Sequence, residues 1–131
     1  AIELDGSHAE SFYNLGIAYY KKEMYVEAID AYQKFIKARP EYENAYSSLG
    51  LAYQGLKEWG KAVAAFQEEL KRNPDNVYAH VYLGDAFMVL KDYPQALTHY
   101  KRALADPNLP EAERIRGTVL SLEKNRGNTI S

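Results

Sequence analysis

The nearest approach to a chemical motif in these 131 residues is Gly55-Leu56-Lys57-Glu58-Trp59-Gly60-Lys61, which follows most of the spacing of a phosphate-binding loop. Such a loop cradles phosphate oxygens with backbone N–H groups and places a Ser or Thr hydroxyl on magnesium. Here Ala62 stands where that hydroxyl belongs and no strand precedes the first glycine, so no nucleotide site is expected. His8, His80 and His99 show neither i,i+4 nor clustered spacing, whereas a zinc site needs three or four converging ligands. His80 reads as a packing residue, and His8 and His99 as surface residues. The pairs Glu68-Glu69 and Lys21-Lys22 read as solvated helix faces rather than an acid–base couple or an anion site. No serine lies in a nucleophile-elbow context, and the absence of cysteine removes thiol chemistry and disulfides while leaving the compartment open. The expectation is a protein without catalysis, metal or cofactor.

The remaining composition points to packing and contact. Apolar residues make up 47 % of the chain, enough for a core in one domain or a short repeat array. Twelve tyrosines against four phenylalanines and one tryptophan favour partly covered surfaces, because tyrosine joins a large apolar body to a polar tip. A net charge of −2 supplies no general attraction to nucleic acid or to an anionic membrane. No apolar run approaches the roughly 20 residues that span a bilayer, and Ala1 to Asp5 does not read as a signal peptide.

The elements that position these residues announce themselves by repetition. Leu15-Gly16, Leu49-Gly50 and Leu83-Gly84 lie 34 residues apart, as do Tyr19, Tyr53 and Phe87. Further columns are Ala28, Ala62 and Ala96; Tyr32, Phe66 and Tyr100; Tyr25, Trp59 and Tyr93; and Ile36, Leu70 and Leu104. Within a unit, Phe12, Leu15, Gly16 and Tyr19 share one helical face, and Ala28, Ile29, Tyr32 and Ile36 share a second after a break. Pro40 and Pro74 end the second helices, while Ser7 to Glu10 offers a capping box for the first. The predicted helices are 8–22, 26–38, 42–56, 60–72, 76–90, 94–105 and 110–125. A glycine inside a helix costs about 1 kcal/mol relative to alanine. Its recurrence therefore predicts a close approach of the partner helix, opposite Ala28, Ala62 and Ala96.

These residues resemble the tetratricopeptide repeat family over nearly the whole chain. The family pattern falls on Phe12, Leu15-Gly16, Tyr19, Ala28, Tyr32 and Pro40, and next on Tyr46, Leu49-Gly50, Tyr53, Ala62, Phe66 and Pro74. The third unit carries Leu83-Gly84, Phe87, Ala96, Tyr100 and Ala103, with Phe35 and Glu69 standing where a second alanine is usual and His80 replacing an aromatic residue. The resemblance implies an all-α fold, a right-handed α-solenoid of three helix pairs plus a C-terminal capping helix. The expected layout is a remnant of a preceding repeat at 1–7, repeats at 8–41, 42–75 and 76–109, a capping helix at 110–126 and a tail at 127–131. In that last helix Ala112, Ile115, Val119 and Leu122 keep one apolar stripe, while Glu113 and Arg116 occupy former packing positions.

In the family, the first helices line a concave groove. Carried over, a peptide-binding groove takes Tyr13, Ile17 and Tyr20 from the first unit, Asn44, Ser47, Leu51 and Gln54 from the second, and Tyr78, Val81, Tyr82, Asp85 and Met88 from the third. Ile17 and Leu51, 34 residues apart, and Val81 lie there on a face expected to be open to water. Isolated surface apolar residues are ordinary, but with the surrounding tyrosine and amide side chains the pattern reads as a binding surface. Some family members grip a partner's C-terminal carboxylates with a Lys/Asn/Asn/Lys/Arg clamp; the matching places here hold Tyr13, Ile17, Ser48, Tyr78 and Tyr82. The expected partner is therefore another protein or peptide segment, with self-association through the groove or the array ends as the alternative. Related arrays that read RNA need a basic groove, which this chain lacks, and neither nucleic acid nor membrane insertion is expected.

Overall fold

The computed structural model describes residues 6–130, with side chains over 8–125, so residues 1–5 of the expected remnant at 1–7 and the Ser7 side chain lie outside the described residues, while Gly6 and Ser7 already belong to the first helix. Among the described residues seven α-helices follow one another: α1 Gly6–Lys21, α2 Tyr25–Ala38, α3 Ala45–Gly55, α4 Trp59–Arg72, α5 Val77–Val89, α6 Tyr93–Ala103 and α7 Ala112–Ile130. No strand occurs among the described residues. The chain divides into two compact units, Ala1–Pro74 and Asp75–Ser131. In the first, α1 packs on α2, α2 on α3, and α3 on α4; in the second, α5 packs on α6 and α6 on α7.

The glycine column does set the helix spacing, but its partner is a ring rather than the expected alanine. A Cβ placed on Gly50 would lie 2.5 Å from the Phe66 ring, and Gly16 and Gly84 stand equally close to Tyr32 and Tyr100. Each second helix sets an aromatic ring against the bare backbone of its first helix. Any side chain at Gly50 must displace Phe66, which is fully buried.

Each first helix closes in the same way. Glu23, Lys57 and Lys91, 34 residues apart, take left-handed backbone with φ of 61°, 61° and 62°. The N–H of the next residue reaches back to Tyr19, Tyr53 or Phe87, and the left-handed residue donates to Tyr20, Gln54 or Met88. This is the Schellman geometry, which satisfies carbonyls that a helix end leaves without partners.

Among the helix starts the largest departure from expectation is at α3, which begins at Ala45 rather than at 42. Asn44 sits at its entrance with φ 73° and supplies no side-chain cap. Glu69 of α4 replaces it. Its Oε2 accepts from the Asn44 N–H at 3.1 Å and its Oε1 from the Ser47 N–H at 3.2 Å, while the Asn73 amide donates to Oε2 at 2.8 Å. Glu69 is completely buried, so reading it as a solvated face was wrong. By contrast α5 caps itself, with Asn76 Oδ1 accepting from the Ala79 N–H at 3.3 Å.

The α7 stripe packs as its spacing predicts: Ile115, Val119 and Leu122 are buried and Glu113 and Arg116 exposed. Lys101–Glu123 at 2.9 Å ties α7 to α6, and Arg114–Asp85 at 3.4 Å ties it to α5. The helix continues to Ile130, through the residues expected to form a tail.

Candidate functional site

In the first unit, α1 places Tyr13, Ile17 and Tyr20 on one face, all half-buried, and α3 contributes the half-buried Leu51 and Gln54. The Tyr13 hydroxyl and Ser48 Oγ lie 3.3 Å apart and join α1 to α3. Tyr13 is more embedded than expected: its ring lies 4.7 Å from Phe35, 5.5 Å from Tyr42 and 5.8 Å from Tyr32. Tyr20 meets Tyr25 edge-on at 5.6 Å. Burial, followed by the neighbouring Tyr13 and Tyr20, pushes the Tyr32 phenol up to about 12, so the Tyr32 ring stays neutral at physiological pH. Ser47 turns inward and is buried, and the Gln54 Oε1 is enclosed too, without a hydrogen-bond partner among the described residues. Asn44 is exposed at the α3 entrance.

In the second unit, Tyr78 is 47 % exposed, and Tyr82 and Met88 are half-buried. Val81 is a correction: at 2 % exposure it belongs to the interior rather than to a face open to water. The reason is that α5 is enclosed nearly all round, burying Ala79, His80, Val81, Leu83, Gly84, Ala86 and Phe87. Asp85 is likewise occupied within the unit. Its carboxylate accepts the Tyr100 hydroxyl at 2.5 Å and pairs with Arg114. Burial and that carboxylate raise the Tyr100 phenol far above its ordinary value.

The fold also joins residues that spacing had kept apart. His80 and His99 bring their Nδ1 atoms to 3.0 Å, and His99 stacks on Phe87 with 10° between the rings. Burial, then His80 and Arg102, lower the His99 pKa to about 4. One Nδ1 donates and the other accepts, so the contact needs at least one neutral ring. His99 is thus a packed partner rather than a surface residue. Among the described residues no group of three or more His, Cys, Asp and Glu could hold a metal, and no helix is long and apolar enough to cross a membrane. The phosphate-loop-like stretch makes no cradle. Gly55 ends α3 against the Tyr25 ring, Gly60 lies inside α4, and Ala62 is buried.

Comparison with known proteins gives a consistent family. Two tetratricopeptide repeat models match, over residues 9–42 and 48–112. Among curated proteins none matches. Among solved structures, the chain is similar to the first tetratricopeptide domain of Spaghetti (RPAP3) bound to the HSP90 peptide SRMEEVD. The two are 26 % identical, with a TM-score of 0.83 over 97 % of this chain and 99 % of that one. It is also similar to the TPR2B domain of yeast Sti1 in its pHsp70 complex, at 25 % identity and TM-score 0.81 over 89 % of this chain and 97 % of that one. The type III secretion translocator chaperone SycD of Yersinia enterocolitica shares the fold, with 14 % identity and a TM-score of 0.86 over 95 % and 90 % of the two chains. With its 34-residue columns packed as glycine-on-ring helix pairs, this all-α chain belongs to the tetratricopeptide repeat family.

Proposed function

We propose that the chain is a non-catalytic scaffold that holds a segment of a partner polypeptide on the faces of its first helices. The observation that carries this reading is the half-open row of Tyr13, Ile17 and Tyr20 on α1 and Leu51 on α3. Apolar and tyrosine side chains recur there while the glycine-on-ring contacts are made elsewhere. Tyr78 and Tyr82 give the second unit a face of the same character. Relatives support the class of partner, since the Spaghetti domain is bound to a peptide. Its peptide ends in Glu-Glu-Val-Asp, but this chain has Tyr13, Ile17, Ser48, Tyr78 and Tyr82 where the family's cationic clamp would stand. The held segment is therefore recognised through aromatic and apolar contacts rather than by its terminal carboxylates.

Panning a displayed random-peptide library against the immobilised chain, with Ile17→Ser as the counter-selection, tests the reading. Enriched sequences that share a pattern and fail on Ile17→Ser support it, and an absence of enrichment refutes it. One observation favours self-association as a second reading. Leu15 is 44 % exposed, whereas Leu49 and Leu83 in the same column are 8 % and 0 % exposed. Leu15 lines an open cavity of about 510 Å³ with Phe12, Tyr19 and Val26. Sedimentation that remains monomeric at all concentrations removes this reading.

A further inference from the structure

Beside Tyr13 lies a second, smaller cavity of about 240 Å³, lined by Glu10, Tyr13, Asn14, Phe35 and Tyr42. Helical spacing places Glu10, Tyr13 and Asn14 on one face of α1. Phe35, in the last turn of α2, forms a buried floor, and Tyr42 from the α2–α3 connection forms an exposed wall. The rings are tilted against one another: Tyr13–Phe35 by 38°, Tyr13–Tyr42 by 52°, and Phe35–Tyr42 by 80° at 5.0 Å. Ser48, outside the lining, holds the Tyr13 hydroxyl in a hydrogen bond. Glu10 stands exposed at the rim and pairs with no Lys or Arg among the described residues.

The chemistry of this lining is one-sided. Aromatic faces carry the negative part of the ring quadrupole, and the only formal charge in the lining is the Glu10 carboxylate. Glu41 and Glu43 flank Tyr42 on the same connection, which also carries Arg39 and receives the Arg72 guanidinium at the Pro40 carbonyl. An anionic group would be repelled here, and an apolar one would strip water from Glu10 without returning a partner. Elsewhere the chain fills such ring faces with its own cations: Arg72 over Tyr46 at 5.0 Å, Lys34 over Phe12 at 5.6 Å and Lys61 over Tyr53 at 5.9 Å. The volume suits one side-chain head rather than a whole small-molecule ligand, whose pockets run from about 300 Å³ upward.

We infer that this cavity is the subsite for an arginine of the held polypeptide, its guanidinium lying against Tyr13 and Tyr42 and hydrogen-bonded to Glu10. Arginine fits better than lysine, because a planar guanidinium stacks on a ring and offers a carboxylate two parallel N–H donors. The inference rests on the proposed peptide-holding function and adds the charge that one residue of the segment must carry.

The test is an NMR titration of the isotope-labelled chain with the N-acetyl N-methylamides of arginine, lysine and citrulline, the last an uncharged match for arginine. Arginine amide is expected to shift Glu10, Tyr13, Asn14, Phe35 and Tyr42 with saturation in the millimolar range, lysine amide more weakly, and citrulline amide not at all. Glu10→Gln should weaken arginine binding by about threefold or more. Tyr42→Ala should abolish saturation, with a retained helical spectrum and cooperative melt showing that the unit is still folded. Equal shifts from citrulline, tighter binding of lysine, or non-saturating shifts spread over all surface carboxylates would each overturn the subsite. If the cavity ignores arginine while selected peptides still depend on Ile17, this inference falls and the peptide-holding reading stands. If library panning enriches nothing, it is the peptide-holding reading that fails.

Discussion

Glu69 does from a neighbouring helix what a capping box does within one. A capping box satisfies the N–H groups of the N-cap and third helical residues with two side chains, and Glu69 reaches both with the two oxygens of one carboxylate. The positive end of the α3 dipole also favours a negative group there. Glu69→Ala would remove these two hydrogen bonds and the one from Asn73, and leave the buried Ser47 N–H without that acceptor, at a cost of about 2–4 kcal/mol. Glu69→Gln keeps the shape and one acceptor oxygen and should recover part of that. Urea denaturation of the two variants measures both effects, and equal stability of the parent and Glu69→Ala would contradict the capping role. At this level the sequence was half legible. Glu69 stood out as a charge in an alanine column, but its neighbours along the chain suggest solvent, and only the arrival of the α3 entrance 22–25 residues away explains its burial. The glycine column was fully legible as a demand for close approach. Which side chain approaches depends on ring orientation, which spacing does not encode.

Helix existence and order followed from periodicity, because three repeats of one apolar pattern reinforce one another. The turns were less legible, since no glycine marks the left-handed residues at 23, 57 and 91. Geometry imposed by the following helix overrides their local preference there. Lys57→Gly should therefore stabilise the first unit by about 0.5–1 kcal/mol, as removing the Cβ relieves left-handed strain; thermal melting of the variant checks the sign. The α5–α6 pair carries a different local signal, invisible at a spacing of 19 residues. His99 titrates near 6.5 when unfolded and near 4 when folded. The unfolded state thus binds a proton that the folded state refuses, and stability fully present above pH 6.5 is lost as pH falls toward 4. With the ring only half-buried, the loss is discounted to about 1–2 kcal/mol. Denaturation midpoints between pH 7 and 4 should show this slope, and His99→Gln should flatten it. An identical slope in the variant would assign the effect to other groups.

For the molecule as a whole, the question is which surface a partner uses, and the structure changes how that is tested. Tyr13 looked like a free groove residue from its helix position, since periodicity tells which face a side chain is on but not how far its neighbours climb around it. With Phe35, Tyr32 and Tyr42 against its ring, Tyr13→Ala would lower stability by about 1–3 kcal/mol and confound any loss of binding. Val81 and Asp85 are unsuitable for similar reasons, one buried and the other bonded to Tyr100 and Arg114. Tyr78 is the cleaner probe, because nearly half of its surface is free. Tyrosine suits a contact role, as it buries area with few rotatable bonds and keeps a hydroxyl available. Tyr78→Ala should weaken peptides selected on the intact chain by about tenfold or more while moving the melting temperature by less than about 2 °C. Lys37→Ala and Lys101→Ala, on the second helices, should leave affinity unchanged. Fluorescence anisotropy with a labelled selected peptide reads all three. If Tyr78→Ala binds like the parent while a lysine variant fails, the partner sits on the second helices and the first-helix faces are not its site.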